Sequence, residues 1–223
     1  MSNKRCYNQY CGLAKALDVI GERWTLLILR DLLLGPWRYS DLMERMNGIT
    51  TNLLASRLKE MEENGLIKKV QLSSLGSPHV YELSALGKQL EPAMLALSQF
   101  GFNFMQNGPE AGDQVDPGRA ILNLKGRYRG KIKGLVTLYF NDPVSKKIIA
   151  IYQVKFSPAS VDIHHGENWQ SEVAITLSLK TYADMAFRQM NSRVLEKNDE
   201  IKVEGLYQMW TRFLDAFGFN NLE

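Results

Sequence analysis

The sequence predicts a mixed α+β protein with two differently built halves. From residue 11 to residue 105, apolar side chains recur at helical spacing, with one short strand-like interval. After about residue 119, apolar and polar side chains alternate instead, as in strands that bury one face. We therefore expect an N-terminal domain that is mostly α with a two-stranded wing, followed by an α+β domain in which helices cover one face of an antiparallel sheet.

Composition and charge limit the class of protein. The chain has 223 residues, of which 45% are hydrophobic and 23% charged, and its net charge is +3. This is an ordinary globular composition with room for two domains. No apolar run is long enough to span a bilayer, so we expect a cytoplasmic protein with no membrane partner. Two cysteines near the N-terminus make neither a disulfide framework nor a set of metal ligands, and no cofactor is expected.

Three helical segments precede the most informative stretch. Leu13 and Leu17 begin the apolar stripe of the first helix. The second segment, from Arg23 to Gly35, is apolar nearly all round and should be buried. We expect Ser40 to cap the third.

The stretch ITTNLLASRLKEMEENGLI, from Ile49 to Ile67, specifies a helix at both ends. Thr50 can cap the start by accepting a backbone N–H, and Asn64 with Gly65 supplies a left-handed cap at the end. The apolar residues fall on one stripe, which leaves a short, polar outer face. A face of this kind fits the major groove of DNA.

Two short strand-like runs, LIKKVQL and VYEL, follow this helix and are separated by the turn segment SSLGSPH. A helix pair followed by such a hairpin is typical of a winged helix-turn-helix, whose second helix enters the major groove of double-stranded DNA. Arg57 lies at the margin of the apolar stripe and can instead brace the helix against a carboxylate. Wing residues either meet phosphates or are merely exposed. The residues that we expect to contact DNA are Ser40, Thr50, Thr51, Asn52, Ser56, Arg57, Lys59, Lys69, Ser77 and His79.

A further apolar stripe begins after Ser84. Its members are spaced by three or four residues, which predicts a long helix that packs along another helix, with a kink at Pro92. A single winged domain has little core left to cover such a stripe, so we expect a homodimer. Packing against the second half of the chain is the alternative. The stripe residues are Leu86, Leu90, Leu97, Phe100 and Phe104.

Residues 106–118 hold three glycines and two prolines without a periodic pattern, which indicates a linker. It divides a DNA-binding and dimerisation domain at 1–105 from a second domain at 119–223. In the second domain we expect a meander of strands, then helices and a last strand. The predicted strands lie near 134–140, 147–156, 160–163, 172–178 and 200–205, with helices from Thr181 and Leu206.

Large apolar side chains of the second half have two interpretations. They either fill the core or line a cavity for an apolar small-molecule effector. His164 and His165 lie together in a predicted turn without a third ligand nearby, so we expect no metal site. The sequence lacks GxSxG, HExxH and phosphate-loop motifs in catalytic context, so no enzyme activity is expected. The cavity candidates are Trp169, Met185, Met190, Trp210, Phe213 and Phe217.

The first half resembles the HxlR family of winged helix regulators, relatives of the MarR group, across residues 11 to about 101. The resemblance rests on CGLAKALDVIGERWTLLILRDLLLGPWRYSDL and VYELSALGKQLEPAMLAL. Gly12 replaces the family's usual proline, and Ser84 with Ala85 replaces the common Leu-Thr. The resemblance implies a dimeric transcriptional regulator, usually a repressor, that reads DNA with the helix from Thr50 to Asn64. In some family members the cysteine at the Cys11 position senses oxidants or electrophiles.

The second half is more weakly similar to the sterol carrier protein type 2 fold over residues 125–218, on its alternating strands and the segment IKVEGLYQMWTRFLDAF. That fold encloses apolar ligands such as fatty acyl chains, which implies effector binding. Two alternatives to an effector-controlled regulator stay open. One is a thiol sensor that acts through Cys11, and the other is a lipid carrier dimerised by its N-terminal domain. A pure dimerisation domain would not need the polar face from Thr51 to Lys59.

Overall fold

The computed structural model describes residues 6–71, 78–105, 109–110, 112–187 and 190–219. The chain divides into two compact units, Met1–Gln106 and Asn107–Glu223. The first is mostly helical and the second is rich in strands, so the fold is mixed α+β. None of the helices in the described ranges has the length and apolar character needed to cross a bilayer.

The first unit begins and ends with helices, and the strands of its small sheet come before and after a central pair of helices in sequence. Ile28, Leu29 and Leu34, from the segment predicted to be buried, are fully enclosed. The described elements are α1 (Gly12–Ile20), α2 (Thr25–Leu32), β1 (Trp37–Arg38), α3 (Tyr39–Arg45), α4 (Thr51–Glu63), β2 (Ile67–Gln71), β3 (His79–Leu83), α5 (Ala85–Lys88), α6 (Glu91–Gly101) and a 3₁₀ turn (Phe102–Phe104).

The sequence of α4 explains both of its ends. Thr50 Oγ1 accepts the backbone N–H of Leu53 at 3.3 Å, as predicted for the N-cap. After the helix, Gly65 has a φ of +72°, and the N–H groups of Gly65 and Leu66 donate to carbonyls of the last turn. The predicted left-handed cap is therefore present. The inward face is buried and consists of Leu54, Leu58 and Met61.

The wing is a three-stranded sheet of order β1-β3-β2, so the prediction of two strands is wrong. β2 and β3 form the predicted antiparallel hairpin. β1 adds to the other side of β3, with Trp37 opposite Tyr81 and Arg38 opposite Val80. A strand of two residues has no period to detect, which is why the sequence pattern does not reveal it.

The predicted long helix after Ser84 is wrong as a single element. The chain forms the short α5, turns at Gln89 and Leu90, and starts again as α6 with Pro92 in its first turn. Proline lacks an amide hydrogen and its ring clashes with the preceding turn. It therefore begins a helix more readily than it continues one.

The start of α5 is bound closely to the end of α4. Ser84 Oγ donates to the carbonyl oxygen of Gly65 at 2.5 Å, and the Ser84 N–H donates to the carbonyl of Leu66 at 3.0 Å. At Gly87 a Cβ atom would lie 2.0 Å from that same Leu66 oxygen, so only glycine fits. The backbones therefore come into direct contact at Gly87 and Leu66, and the Ser84 hydroxyl joins the two helix ends beside this contact.

The second unit contains all five predicted strands and both predicted helices. The sequence analysis missed the short α7, α8 and α10, since five or six residues are too few to show an apolar stripe. His164 and His165 end a strand rather than lying in a turn. The elements are α7 (Pro117–Ile121), α8 (Asn123–Arg127), β4 (Gly134–Asn141), β5 (Ile148–Ser157), β6 (Ser160–His165), β7 (Val173–Ser178), α9 (Leu179–Phe187), α10 (Ser192–Lys197), β8 (Ile201–Gly205) and α11 (Tyr207–Ala216).

These strands form a mixed sheet of order β6-β5-β4-β7-β8. β4, β5 and β6 make an antiparallel meander, but β7 then pairs parallel with β4 on the other side. The prediction of an antiparallel sheet is therefore wrong. Alternation identifies the buried face of a strand, but it carries no information about the direction of the neighbouring strand.

The connection from β6 to β7 crosses one face of this sheet and is fixed by the buried Gln153. Its Oε1 accepts the backbone N–H groups of Asn168 and Trp169 at 2.7 and 2.9 Å, and its Nε2 donates to the Trp169 carbonyl at 2.5 Å. Thr137 Oγ1 donates to Ser171 Oγ at 2.8 Å. Buried polar side chains thus hold the connection against the sheet.

Helices cover the other face of the sheet. Phe156 of β5 packs against Phe213 of α11 and against Phe217 directly after that helix, with ring centroids 6.0 and 5.5 Å apart. Phe140 of β4 lies 5.9 Å from Tyr182 of α9. The strand register puts Phe140 and Phe156 on the same side, so aromatic rings form the core between sheet and helices.

Candidate nucleic-acid interface

Four polar side chains that the sequence assigns to DNA lie together on the outer face of α4. Thr51, Asn52, Ser56 and Lys59 are exposed, on the side away from the buried stripe. Lys59 Nζ lies 3.8 Å from a carboxylate oxygen of Glu63, and both side chains are mostly exposed, so the pair leaves the lysine available. The structure therefore brings these four predicted residues together on one accessible surface.

The N-terminus of α4 is held against α3. The Tyr39 hydroxyl donates to the carbonyl oxygen of Thr51 at 2.8 Å. Ile49, directly before the N-cap Thr50, is buried, as are Leu42 of α3 and Met46 at the end of that helix. The orientation of the outer face thus follows from the packing of the helix pair.

A buried carboxylate ties α3 to α2. Asp31 accepts Nε of Arg30 at 2.8 Å on one oxygen and Nε of Arg45 at 3.0 Å on the other. The Arg45 guanidinium also lies 4.5 Å from the centre of the Trp37 ring. Trp37 Nε1 donates to the Asp31 carbonyl oxygen at 2.9 Å. One acidic residue therefore joins α2, α3 and the first strand of the wing.

Arg57 braces α4 against carboxylates, which was the alternative to DNA contact. Its Nη1 donates to Glu60 at 2.6 Å, and its Nη2 lies 4.0 Å from a carboxylate oxygen of Glu22. Ser56 Oγ donates to the other oxygen of the Glu60 carboxylate at 2.9 Å. The sequence analysis missed Glu60, although its spacing of four residues from Ser56 is a signal that could have found it.

Ser40 does not cap α3, which corrects the prediction. The helix begins at Tyr39, and the Arg38 backbone N–H donates to the Asp41 carboxylate at 3.1 Å. Ser40 is exposed in the first turn and its hydroxyl donates to Asp41 at 3.1 Å. The neighbouring carboxylate accepts more strongly than a hydroxyl at a helix start, so it takes over the stabilising role.

The other predicted contacts lie at the start of α4 and on the wing. Thr50 is exposed, but its hydroxyl oxygen serves the helix as N-cap. Lys69 and His79 are exposed on β2 and β3. Ser77 lies outside the described residues.

Large apolar side chains of α5, α6 and the following turn are open to solvent. Leu97, Phe100 and Phe104 are 54, 63 and 77% exposed, and Leu86 is half exposed, whereas Leu90 is partly buried. Phe100 and Phe104 pack edge to face at 5.5 Å. Such a concentration of exposed apolar residues is typical of a protein interface. Exposed apolar residues of α1 are Leu13 and Leu17.

Cys11 is an exposed, free thiol at the N-terminus of α1. Hydrogen bonds from the backbone N–H groups of Ala14 and Leu13 lower the pKa of this thiol, because they stabilise the thiolate. Cys6 is also free, and Lys15 Nζ lies 3.8 Å from its sulfur.

The six predicted cavity residues of the second unit do not share one cavity. Met185, Trp210, Phe213 and Phe217 are buried in the helix-covered core, where Trp210 stacks on Phe213 at 5.7 Å. These side chains fill the space in which the prediction placed a cavity, as close packing favours.

Trp169 and Met190 lie elsewhere, so their assignment to that cavity is wrong. Trp169 belongs to the connection on the opposite face of the sheet, where its ring lies 4.8 Å from the His164 ring and 5.5 Å from Lys155 Nζ. Met190 is partly exposed beyond the end of α9.

The second unit also has an open surface cleft of about 520 Å³. Its wall is partly apolar, with the buried Met209 at one side. Three cationic side chains and one carboxylate meet around it, which favours an anionic group. The lining residues are Lys131, Ile132, Lys133, Pro158, Glu172, Met209 and Arg212.

Comparison with known proteins concerns mainly the first unit. Residues 19–109 match a family model described as HxlR-like helix-turn-helix. An uncharacterized HTH-type transcriptional regulator of Mycobacterium tuberculosis is 36% identical over 115 residues, which cover 48% of this chain and 72% of that protein. The HTH-type transcriptional regulator YtcD of Bacillus subtilis is 34% identical over 100 residues, which cover 45% and 78%. Among solved structures, the reduced form of the transcriptional regulator YodB from B. subtilis is 27% identical and covers 45% of this chain and 100% of that one, with a TM-score of 0.39.

Proposed function

This chain belongs to the HxlR-like helix-turn-helix family, and from that premise we propose that it is a dimeric, sequence-specific DNA-binding repressor of transcription. The observation that carries the proposal is the outer face of α4, where exposed polar side chains stand on a capped helix with a buried inner face. A helix of this kind fits the major groove, and an asparagine can bond adenine through two hydrogen bonds.

We assign the proposed contacts by chemistry. Asn52, Thr51 and Ser56 would meet base edges, because their neutral groups match the donors and acceptors of the major groove. The lysines, the imidazole and the remaining hydroxyls would meet phosphates, which fix the register of the protein on the duplex. The proposed phosphate contacts are Ser40, Thr50, Lys59, Lys69, Ser77 and His79.

The exposed apolar residues of α5, α6 and the 3₁₀ turn support a homodimer. An isolated chain would leave Leu97, Phe100 and Phe104 in water, and a second copy that packs on them would remove this apolar area. Two-fold dimers are the commonest oligomers of soluble proteins and match two-fold symmetric DNA sites.

Selection of duplexes from a random DNA pool, followed by affinity measurement on the selected site, tests the function. Asn52→Ala should weaken binding to the selected site by about 1–3 kcal/mol and leave binding to unrelated DNA nearly unchanged. Gln208→Ala, which removes an exposed amide from α11, is the control and should change neither. An equal loss on all sequences would exclude Asn52 from base recognition. A reporter gene preceded by the selected site should be expressed less when the protein is present.

A thiol-dependent regulator is the second candidate, and the environment of Cys11 favours it. The thiol is exposed, and backbone hydrogen bonds lower its pKa, so a larger share is the reactive thiolate at neutral pH. Modification of this thiol at the start of α1 would then change the packing of the first unit, which contains α4, and so change DNA binding.

We also propose that the second unit is a sterol-carrier-like module that binds an acidic amphiphile in the cleft beside Met209. The cations Lys131, Lys133 and Arg212 would attract the acid group, and the apolar wall would hold the chain. Decanoate should raise the melting temperature of the whole protein more than decanol does, since ligands that bind the folded state stabilise it. The double variant Lys133→Gln/Arg212→Gln should lose the difference, whereas Lys147→Gln should keep it. Equal shifts for both compounds would contradict an anion site.

A further inference from the structure

Ser56 and Glu60 lie one helical turn apart on the exposed side of α4, and their contact fixes the direction of a proton. Ser56 Oγ is 2.9 Å from Glu60 Oε1. An ionised carboxylate has acceptors only, so the hydroxyl must be the donor in this contact. The proton of Ser56 therefore points toward the protein, and the lone pairs of Oγ stay available to an outside donor.

Arg57 keeps the Glu60 carboxylate in this position. Its Nη1 donates to Glu60 Oε2 at 2.6 Å, and only 14% of the arginine side chain is exposed. Charge-assisted hydrogen bonds of this length are among the stronger ones. Since each carboxylate oxygen has its own donor, the group cannot turn away from Ser56 without giving up its contact with Arg57. The arginine also offsets a negative charge that would repel DNA phosphates.

From this geometry we infer that Ser56 acts as a hydrogen-bond acceptor in the major groove and selects a base with an exocyclic amino group. The inference rests on the proposed DNA-binding function and adds which base chemistry position 56 recognises. Adenine N6 and cytosine N4 are donors in the major groove, whereas guanine O6 and thymine O4 are acceptors. A freely rotating serine bonds either kind of edge. With its proton held by Glu60, Ser56 bonds adenine or cytosine and opposes guanine and thymine with a lone pair.

Site selection from a random double-stranded pool by the full-length protein tests the inference. The wild-type motif should contain a position at which adenine and cytosine on one strand exceed guanine and thymine by about 3- to 10-fold. Ser56→Ala should lose the preference at that position alone, and alanine is well accepted in a helix, so the fold is kept. Ser56→Thr retains the hydroxyl and should retain the preference.

Glu60→Gln tests the role of the carboxylate. The amide can donate to Oγ and so release the hydroxyl proton, which should allow all four bases at the position. Glu63→Gln removes the same charge from the same helix without touching Ser56 and should leave the motif unchanged. Melting temperatures within a few degrees of wild type confirm that each variant is folded.

The outcomes separate the inference from the function on which it rests. If the wild-type protein enriches no motif, the proposed function fails. If it enriches a motif that Ser56→Ala leaves intact at every position, the inference alone is overturned. The inference would also be overturned if Glu63→Gln lost the base preference as strongly as Glu60→Gln does. The loss of one negative charge from α4 would then explain the effect without the contact to Ser56.

Discussion

Asp31 is completely buried, yet its contacts help to orient the exposed outer face of α4, because they hold the helix that precedes it. Its two oxygens hold one guanidinium each, from α2 and from the end of α3, directly before the chain turns into α4. In the sequence, Arg30 and Asp31 interrupt an apolar segment, but nothing in that pattern identifies a partner for the carboxylate. The partner Arg45 is 14 residues away, so local periodicity could not reveal the pair.

Asp31→Asn should destabilise the first unit by about 3–5 kcal/mol, because it leaves two guanidinium groups without their shared buried charge. Glu44→Gln changes an exposed carboxylate of α3 and should cost no more than about 0.5 kcal/mol. Hydrogen exchange of the α2 and α3 amides in increasing urea measures the free energy of unfolding of the first unit. Similar values for both variants would refute a structural role for the Asp31 pair.

Cys11 should react with iodoacetamide at lower pH than an unperturbed thiol does. Its pKa is lowered by the backbone N–H groups of Ala14 and Leu13, so the thiolate, which is the nucleophile, is present at a lower pH. The pH at which the rate is half-maximal should lie below the ordinary thiol pKa of about 8.5. Peptide mass spectrometry across a pH series gives the rate, with N-acetylcysteine amide as reference.

Loss of DNA binding on alkylation, absent in Cys11→Ser, would support a regulatory role for this thiol. A rate profile identical to that of the free amino-acid derivative would leave Cys11 as an unreactive surface residue.

Residues whose roles depend on their neighbours in sequence are the ones that can be predicted. Thr50 and Gly65 follow local capping rules, and the structure confirms both. Ser40 was assigned wrongly because Asp41, one position later, is the better acceptor at that helix start. Gln153 has partners 15 and 16 residues away, so no local pattern points to it.

At the scale of elements, α6 is expected to form the dimer interface. The double variant Leu97→Glu/Phe100→Glu should yield monomers, since two unpaired carboxylates buried at an interface cost several kcal/mol each. Val144→Glu alters a highly exposed apolar residue of the second unit and should leave the dimer intact. Sedimentation velocity distinguishes the two states. A dimer in the double variant would place the interface elsewhere, and a monomeric wild type would favour the alternative of packing within the chain.

Element positions were largely predictable, and so were the pairs of strands joined by hairpins, but the place of β7 in the sheet was not. Period-two alternation gives each strand of the second unit within a few residues, because one face of each strand is buried. The parallel pairing of β7 with β4 depends on the connection after β6, whose course is set by Gln153 and not by hydrophobic pattern. Pro92 predicted a disturbance of the helix after Ser84, although not a full break.

For the whole molecule, we expect DNA binding that weakens steeply with salt despite the small net charge of +3. Each phosphate contact releases counterions, so Lys69→Gln should reduce the slope of log K against log salt by about 1 and weaken all sequences alike. Lys147→Gln removes the same charge from the second unit and should not change the slope. Fluorescence anisotropy at several salt concentrations provides the slopes. Unequal losses on specific and unrelated DNA would mean that Lys69 meets a base.

The two structural units differ in how far their functions can be inferred from the sequence. The family match at residues 19–109 falls on the helical unit apart from its last three positions, and the segments that resemble the family lie in the same unit. The α+β fold of the second unit was predicted from strand alternation, two helical segments and a weak similarity to the sterol carrier protein type 2 fold, and none of these patterns defines a function. The cleft beside Met209 was not predicted, because the residues that line it come from separate loops and from α11.

The contact between the ends of α4 and α5 should fix the distance between the two α4 helices of the proposed dimer. The residues at this contact are Gly65, Leu66, Ser84 and Gly87. These short contacts leave little freedom between α4 and the segment that would join two copies, so the separation of the two α4 helices is a fixed length. B-DNA presents equivalent major-groove faces every 10–10.5 base pairs, about 34–36 Å apart. One inserted base pair between half-sites rotates one of them by about 34°, and five place it on the far side of the duplex. Operators with altered spacing should therefore be bound by one protomer at a time, even when both half-sites keep every base.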